Sequence, residues 1–280
     1  MNSAAKTSWE EAVCWLRDQP EQQQLVLDAF YDDPLIAAAE RYYGSPEWQE
    51  VSRLLSDKRG NALDVGAGRG IASYALARLG FKVTALEPDP SAIVGAAAIR
   101  RLSTESDLNI EVVEQFSEQL PFADTSFDVV FARAVLHHTR NLTNACREMH
   151  RVLKPGGLLI AAREHVITKD TDLPKFLALH PLHHLYGGEN AFRLDCYLGA
   201  LKEARFRSIE VLAPLKSPIN LYPYTVDSIR EELIAKCSRK VPFPTLIRAV
   251  TPRKLIEVIL SVGTHFDNRP GRLYSFVAYK

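Results

Sequence analysis

The chain has 280 residues, 46% hydrophobic and 24% charged, and its 34 Lys and Arg are matched by 34 Asp and Glu. A binder that neutralises nucleic-acid phosphates carries a basic excess, so no nucleic-acid partner is expected. A disordered chain would be poorer in apolar residues and more lopsided in charge. At roughly 150 residues per domain, the length fits one large domain or two small ones, and either buries a core.

Residues 1 to 58 read as a helical N-terminal cap. Ser8 and Glu11 have capping-box spacing, and Pro20, Pro34 and Pro46 each suit a first helical turn, with Asp33 and Ser45 as N-caps before two of them. Gly44 can end the third helix. From residue 61 strands and helices alternate. Strands are predicted at 61–65, 82–87, 109–113, 127–132 and 158–163. The helices between them run to Leu79, from Asp89-Pro90 to Arg101, and over 141–153, and Pro155-Gly156-Gly157 turns the chain into the fifth strand. A helix at 194–204, a strand at 207–212 and a last strand at 272–280 complete the pattern. Such alternation predicts an α/β fold, a parallel sheet covered by helices on both faces. The predicted organisation is a cap (1–58), a core (59–212), a helical insert (213–268, with helices near 226–238 and 252–262) and a final core strand (269–280).

The zero net charge conceals two flanks. Residues 1–50 carry ten acids and three bases, and residues 230–254 carry seven bases and two acids. The two flanks either meet over the site or form solvated faces. Cys14, Cys146, Cys196 and Cys237 form no CxxC pair, which argues against a zinc knuckle and suits a reducing compartment. Glu10, Glu11 and Asp18 interrupt any signal-peptide core, and no apolar run reaches the ~18 residues of a membrane span. A cytoplasmic location is expected.

The chemistry starts at Leu63-Asp-Val-Gly-Ala-Gly-Arg-Gly70, between a strand and a helix. In open α/β sheets, ligands bind outside the carboxyl ends of the strands. The dinucleotide pattern G-x-G-x-x-G fails here, because Ile71 stands at its third glycine. Asp64 would repel a phosphate and attract an ammonium group. Glu87, at the end of the second strand, can accept hydrogen bonds from both hydroxyls of a ribose. A ribose and a cation together describe S-adenosyl-L-methionine.

With these residues, Glu87-Pro-Asp89, Leu120-Pro-Phe122 with Phe127-Asp128, Leu136-His-His138 and Arg151-Val-Leu-Lys-Pro-Gly-Gly157 carry a resemblance over 61–163. The sequence resembles the class I S-adenosylmethionine-dependent methyltransferases, especially the ubiquinone- and menaquinone-biosynthesis subgroup and natural-product O-methyltransferases. The resemblance implies a Rossmann-like seven-stranded sheet whose last strand is antiparallel. It implies that Asp64, Gly66, Ala67 and Gly68 face the methionine half and that Glu87 and Pro88 hold the ribose. Phe116 and Ser117 stand where relatives often place an adenine-contacting Asp, so they are expected to contact the adenine unless Phe116 belongs to the core. Arg133 and Arg41 join the cofactor-facing set, Arg41 as a partner of the methionine carboxylate.

Methyl transfer is an in-line displacement, so positioning dominates, and a hydroxyl acceptor gains from a general base. His137 and His138 follow the fourth strand, and Glu164 and His165 end the fifth; these four are the candidate catalytic residues. The segment His180-Pro-Leu-His-His-Leu-Tyr-Gly-Gly-Glu-Asn190 offers His180, His183, His184 and Glu189, but Pro181 breaks helical ligand spacing and no metal is expected. It reads instead as an acceptor-recognising loop or a structural turn. Tyr222, Tyr224, Phe243 and Leu246 make the insert a candidate apolar lid. The expected acceptor is a small molecule, or a glycan or lipid intermediate, methylated at oxygen. Methylation at nitrogen or carbon, a quinone-like ring included, and a non-catalytic cofactor-binding module are the alternatives.

Overall fold

The computed structural model describes residues 7–239 and 248–280. Its sheet contains β1 (Asn61–Val65), β2 (Lys82–Leu86), β3 (Ile110–Val113), β4 (Phe127–Arg133), β5 (Leu153–Ile167), β6 (Phe192–Arg193), β7 (Arg207–Leu212) and β8 (Arg272–Tyr279). The order is β3-β2-β1-β4-β5-β8-β7. The first five are parallel neighbours, and β8 runs antiparallel between β5 and β7. The expected seven strands are present, and the two-residue β6 adds an eighth beside the end of β5.

Side chains alternate across a strand, so successive residues enter different cores. Ala62, Val129, Phe131, Leu158 and Ile160 join one apolar cluster, and Leu63, Val65, Val130, Ala132 and Leu159 join the other. Helices α1 (Trp9–Arg17), α2 (Gln23–Asp28), α3 (Leu35–Tyr43) and α4 (Pro46–Leu54) form the N-terminal region. Phe30, Tyr42, Trp48 and Leu55 lie in the same cluster as the strands, so this region is packed into the core. The Ser8–Glu11 capping box and the Ser45 N-cap are present. Asp33 is no cap: Pro34 takes the N-cap position of α3, and the Asp33 carboxylate binds Arg17 and Arg69 instead.

Helices α5 (Ile71–Arg78), α6 (Ala96–Ser106), α7 (Leu142–Val152), α8 (Leu173–Leu179), α9 (His183–Tyr186) and α10 (Leu194–Glu203) connect the strands. The helix expected from Asp89-Pro90 begins only at Ala96. Asp89 is consumed by a local turn, accepting from Ser91 N at its side chain and from Ala96 N at its carbonyl. Pro155–Gly157 does not precede β5 but bulges within it: Phe127 pairs with Leu153 and Val129 with Leu158. The insert holds α11 (Pro218–Leu221), α12 (Val226–Ser238) and α13 (Arg253–Phe266). Phe243 and Leu246 lie outside the described residues.

One buried ion cluster ties these parts together. Glu47, on α4 and fully buried, receives Arg133 Nε at 2.6 Å and Nη2 at 3.0 Å from the end of β4. Arg163 Nη1 of β5 lies 3.5 Å from the same carboxylate and also donates to the carbonyls of Ile219 and Tyr222. Burial raises the Glu47 carboxyl, but the two guanidiniums outweigh it and hold it below the ordinary range. Removing one member of a buried pair strands the other charge, at a cost of about 3–5 kcal/mol. Glu47→Ala is therefore expected to lower unfolding stability by that amount in urea denaturation. A loss below about 1 kcal/mol, the range of exposed pairs, would show the cluster to be solvated.

Candidate functional site

A cavity of about 550 Å³ opens at the carboxyl ends of β1, β2 and β4, within the size range of small-molecule sites. Asp64, Gly66, Ala67, Gly68, Glu87, Pro88, Phe116, Ser117 and Arg133 all line it. So do His137, His138 and His165. Arg41 and Glu164 are absent from the lining.

The glycine loop wraps the cofactor end. Gly66 has φ +62°, and a Cβ there would come within 2.7 Å of Val135 Cγ2. Gly68 has φ +53° and only the Val94 carbonyl, 3.9 Å away, near the place of its missing Cβ, so its backbone borders open cavity. Glu87 Oε2 accepts from Gly68 N at 2.7 Å, and Oε1 accepts from Asp89 N at 2.9 Å. Each oxygen keeps a second lone pair for a ribose hydroxyl. Asp64 is buried and accepts from Ser73 Oγ at 2.6 Å. Burial pushes its carboxyl up to about 7. A buried carboxylate short of a counter-charge suits the ammonium group of S-adenosylmethionine, so these residues fit that cofactor. The exposed Phe116 ring, with the Arg140 guanidinium 5.7 Å over it, forms the rim beside Ser117 and is not part of the core.

Arg41 instead forms a two-pronged pair with Asp32 and donates to the Leu27 carbonyl. The arginines lining the cavity are Arg133, whose Nε and Nη2 are taken by Glu47, Arg69, which donates to the carbonyls of Phe30 and Asp32, and Arg140, at the rim over Phe116. Arg69 lies within the glycine loop itself and fastens it to the N-terminal region.

At the other end, Glu164 works from behind the wall. Its Oε1 accepts from Val135 N and Leu136 N, and its Oε2 accepts from His137 N, each at 3.1 Å. His137 Nδ1 completes the set at 2.6 Å from Oε2. Burial raises the Glu164 carboxyl while the three backbone donors oppose the rise. With every acceptor site filled, Glu164 orients His137 and offers nothing to an acceptor. Burial holds His137 well below its ordinary value and His165 down to about 3, so both rings are neutral near pH 7. His138 is the more exposed ring, with Nδ1 3.1 Å from the Gly188 carbonyl.

The roof draws on the N-terminal cap and the 180–190 segment, although most of its residues are not singled out by the sequence. It comes from Trp9, Leu16, Leu25, Phe30 and Tyr31 of the N-terminal region and from His180–Leu182, Tyr186 and Glu189. Burial, reinforced by Glu189, raises the Tyr31 hydroxyl to about 12. Of the histidine-rich segment, His180 and Glu189 reach the cavity, whereas His184 packs edge-on against Trp15. No described residue of 213–268 lines the cavity. Tyr222 stacks on Phe30 from outside and Tyr224 is exposed, so the described part of the insert is a buttress and not a lid. Among the described residues, the ion pairs of the insert's bases are all made with its own acids, Asp227, Glu231, Glu232 and Glu257. Among the described residues, no ion pair joins the two charged flanks.

Comparison with known proteins agrees with this geometry. Residues 63–161 match the family model described as a methyltransferase domain. The ubiquinone biosynthesis O-methyltransferase of Methylocella silvestris is 36% identical over 122 residues, 44% of this chain and 46% of that protein. The demethylmenaquinone methyltransferase of Chlorobaculum tepidum is 34% identical over 106 residues, 38% of this chain and 41% of that one. The chain thus spans less than half the length of these curated relatives. The structure of Haemonchus contortus phosphoethanolamine N-methyltransferase 2 in complex with S-adenosyl-L-methionine superposes with a TM-score of 0.56 at 18% identity, covering 99% of this chain and 60% of that one. No described helix is long and apolar enough to cross a membrane. The sheet order, the glycine loop with its two carboxylates and the methyltransferase-domain match over residues 63–161 together support a class I S-adenosylmethionine-dependent methyltransferase.

Proposed function

We propose that the chain methylates an oxygen of a small hydroxylated ring compound, using S-adenosylmethionine. The observation that carries this is the wall opposite the glycine loop. His137, His138, His165 and Glu189 turn lone pairs toward the cavity, and a hydroxyl brings the proton they lack. Trp9, Phe30, Tyr31 and Val135 supply apolar surface for a flat ring. The resemblance to a ubiquinone biosynthesis O-methyltransferase and a demethylmenaquinone methyltransferase supports a quinone-like ring.

When bound, the cofactor supplies a methyl group on positively charged sulfur and leaves as S-adenosylhomocysteine. Asp64 holds its ammonium group, Glu87 its ribose hydroxyls, and Phe116 with Ser117 its adenine. Arg133 keeps Nη1 for the methionine carboxylate, the role the sequence suggested for Arg41. His138 Nε2 would take the proton of the acceptor hydroxyl, leaving the oxygen free to accept the methyl group that the bound cofactor would supply. Glu164 serves as a positioning residue through the 135–137 backbone and His137. Holding both reactants in line accounts for several kcal/mol of barrier lowering.

Incubation with methyl-labelled cofactor and a panel of hydroxylated quinol and catechol rings should give labelled methyl ethers and equimolar S-adenosylhomocysteine by mass spectrometry. Label on ring carbon or on nitrogen overturns the assignment to oxygen. Replacing His138 by Ala should lower kcat by about 10²–10⁴ while calorimetric cofactor affinity stays unchanged; wild-type turnover removes His138 from the chemistry.

Cofactor binding should also depend on pH through Asp64. Below about pH 7 its carboxyl is protonated and attracts the ammonium less, so the Kd rises as pH falls. The limiting slope is about tenfold per pH unit. Glu87 raises Asp64 further and Arg133 lowers it, so the variant must isolate the residue. Asp64→Asn should bind more weakly and lose most of this acid dependence; calorimetry showing an unchanged slope would assign it to another group.

A further inference from the structure

Three histidines and a glutamate at the acceptor end face one another with lone pairs. His137 gives its Nδ1 proton to Glu164, whose other acceptor sites are filled by backbone N–H groups. His165 gives its Nδ1 proton to the Gly271 carbonyl at 2.9 Å, and His138 gives its own to the Gly188 carbonyl at 3.1 Å. Carbonyls only accept, so every one of these rings is held in the tautomer whose Nε2 is bare.

Glu189 is anchored from the opposite side. Its Oε1 accepts from the Tyr186 hydroxyl and lies 3.5 Å from His180 Nε2. His180 Nδ1 accepts from Leu182 N, so its Nε2 carries the proton toward Glu189. The other oxygen, Oε2, is buried and has no hydrogen-bond partner. It lies 4.0 Å from His137 Nε2 and 3.9 Å from His138 Nε2. Its side chain is only 5% exposed, so water does not stand in freely for a partner. One ligating atom each from His137, His165 and Glu189 fall within 4.8 Å of one another. Bare acceptors converging in a buried place are costly unless a cation lies among them.

We propose that His137 Nε2, His165 Nε2 and Glu189 Oε2 form a site for a divalent first-row transition cation, oriented from outside by Glu164, Gly271 and Tyr186. Two imidazoles and one carboxylate suit zinc and its neighbours, whereas magnesium and calcium favour all-oxygen shells. At metal–ligand bonds of about 2.0–2.1 Å, two ligands of one ion stand about 3–4 Å apart, and the carboxylate–imidazole gap to His137 is already of that size. The Glu164–His137 pair is the carboxylate–histidine arrangement that commonly stiffens a ligand. Three protein ligands leave a coordination position open, and it faces the cavity where a hydroxylated acceptor would place its oxygen. That last role rests on the methyl-transfer reading; uptake of the ion does not.

The test titrates the full-length chain, stripped with chelator and dialysed, with zinc chloride by calorimetry, without cofactor. Cobalt(II) serves as a spectroscopic reporter. The expected result is one ion per chain, with visible cobalt bands. Glu189→Gln and His165→Ala should each weaken uptake at least about 100-fold, while cofactor affinity, the check on folding, is retained. Glu189→Gln keeps an oxygen for Tyr186, so it guards against a merely unfolded variant. Absence of stoichiometric uptake, or uptake equal to wild type in both variants, overturns the site. A site that fills while methyl transfer is the same with and without zinc keeps the metal and removes its role in the chemistry.

Discussion

The arrangement on which the site depends is the Glu164 carboxylate and the four donors that saturate it. At the end of β4 the chain makes a left-handed step at Ala134, φ +58°, and the next three N–H groups converge on one buried anion. A carboxylate with all its acceptor sites filled is far less costly to bury than a bare one. Its partner His137 is thereby fixed in both orientation and tautomer. A residue near the end of β5 thus decides how the loop after β4 presents its histidines. The two strands are parallel neighbours, so the constraint acts along the shortest path in the sheet.

The N-terminal helices complete the cavity through charge as well as packing. Glu47 reaches Arg133 at the tip of β4, and Arg69 reaches back from the glycine loop to the carbonyls of Phe30 and Asp32. Both contacts join this region to strand ends that border the cofactor. Tyr222 then stacks on Phe30, and Arg163 joins Glu47 to the carbonyls at 219 and 222. The insert therefore supports the roof from behind. Among the described residues, its ion-paired bases are held by its own acids, and the opposed flank charges form no closing clamp there.

Much of the core was legible because its signals are local. The Leu63–Gly70 turn and Glu87 are set by residues near one another in sequence, whereas the antiparallel direction of the last strand came from the family resemblance. Glu189 was visible only as one acid in a histidine-rich stretch, because its partners His137 and His138 stand some fifty residues earlier and meet it only through the turn of α9. Arg41 looked suitable beside two tyrosines, yet Asp32, nine residues away, captures it as the chain folds back. Glu164 looked like a base because it ends a strand at the site. Its backbone partners depend on the bend at Ala134, which hydrophobic patterning does not encode. The insert misled for a related reason: aromatic residues between the last strands indicate burial, but not against which surface.

The two ends of the cavity pose the same electrostatic problem. Asp64 at one end and Glu189 at the other are buried acids whose local hydrogen bonds come from neutral groups, Ser73 for the first and Tyr186 with His180 for the second. Glu87 adds a third acid, and the lining arginines Arg133 and Arg69 are already held by Glu47 and Asp33. An interior so composed favours positive charge at both ends. A cofactor carrying an ammonium group and a positive sulfur answers the first end and the middle. Once it has given up its methyl group, that sulfur would be a neutral thioether. These acids would attract that product less than the charged cofactor, so the field that favours binding would also favour release. Glu189 gains nothing from that neutral sulfur, and its need for a cation persists through the cycle. That persistence distinguishes a resident ion from a charge that arrives and departs with the cofactor.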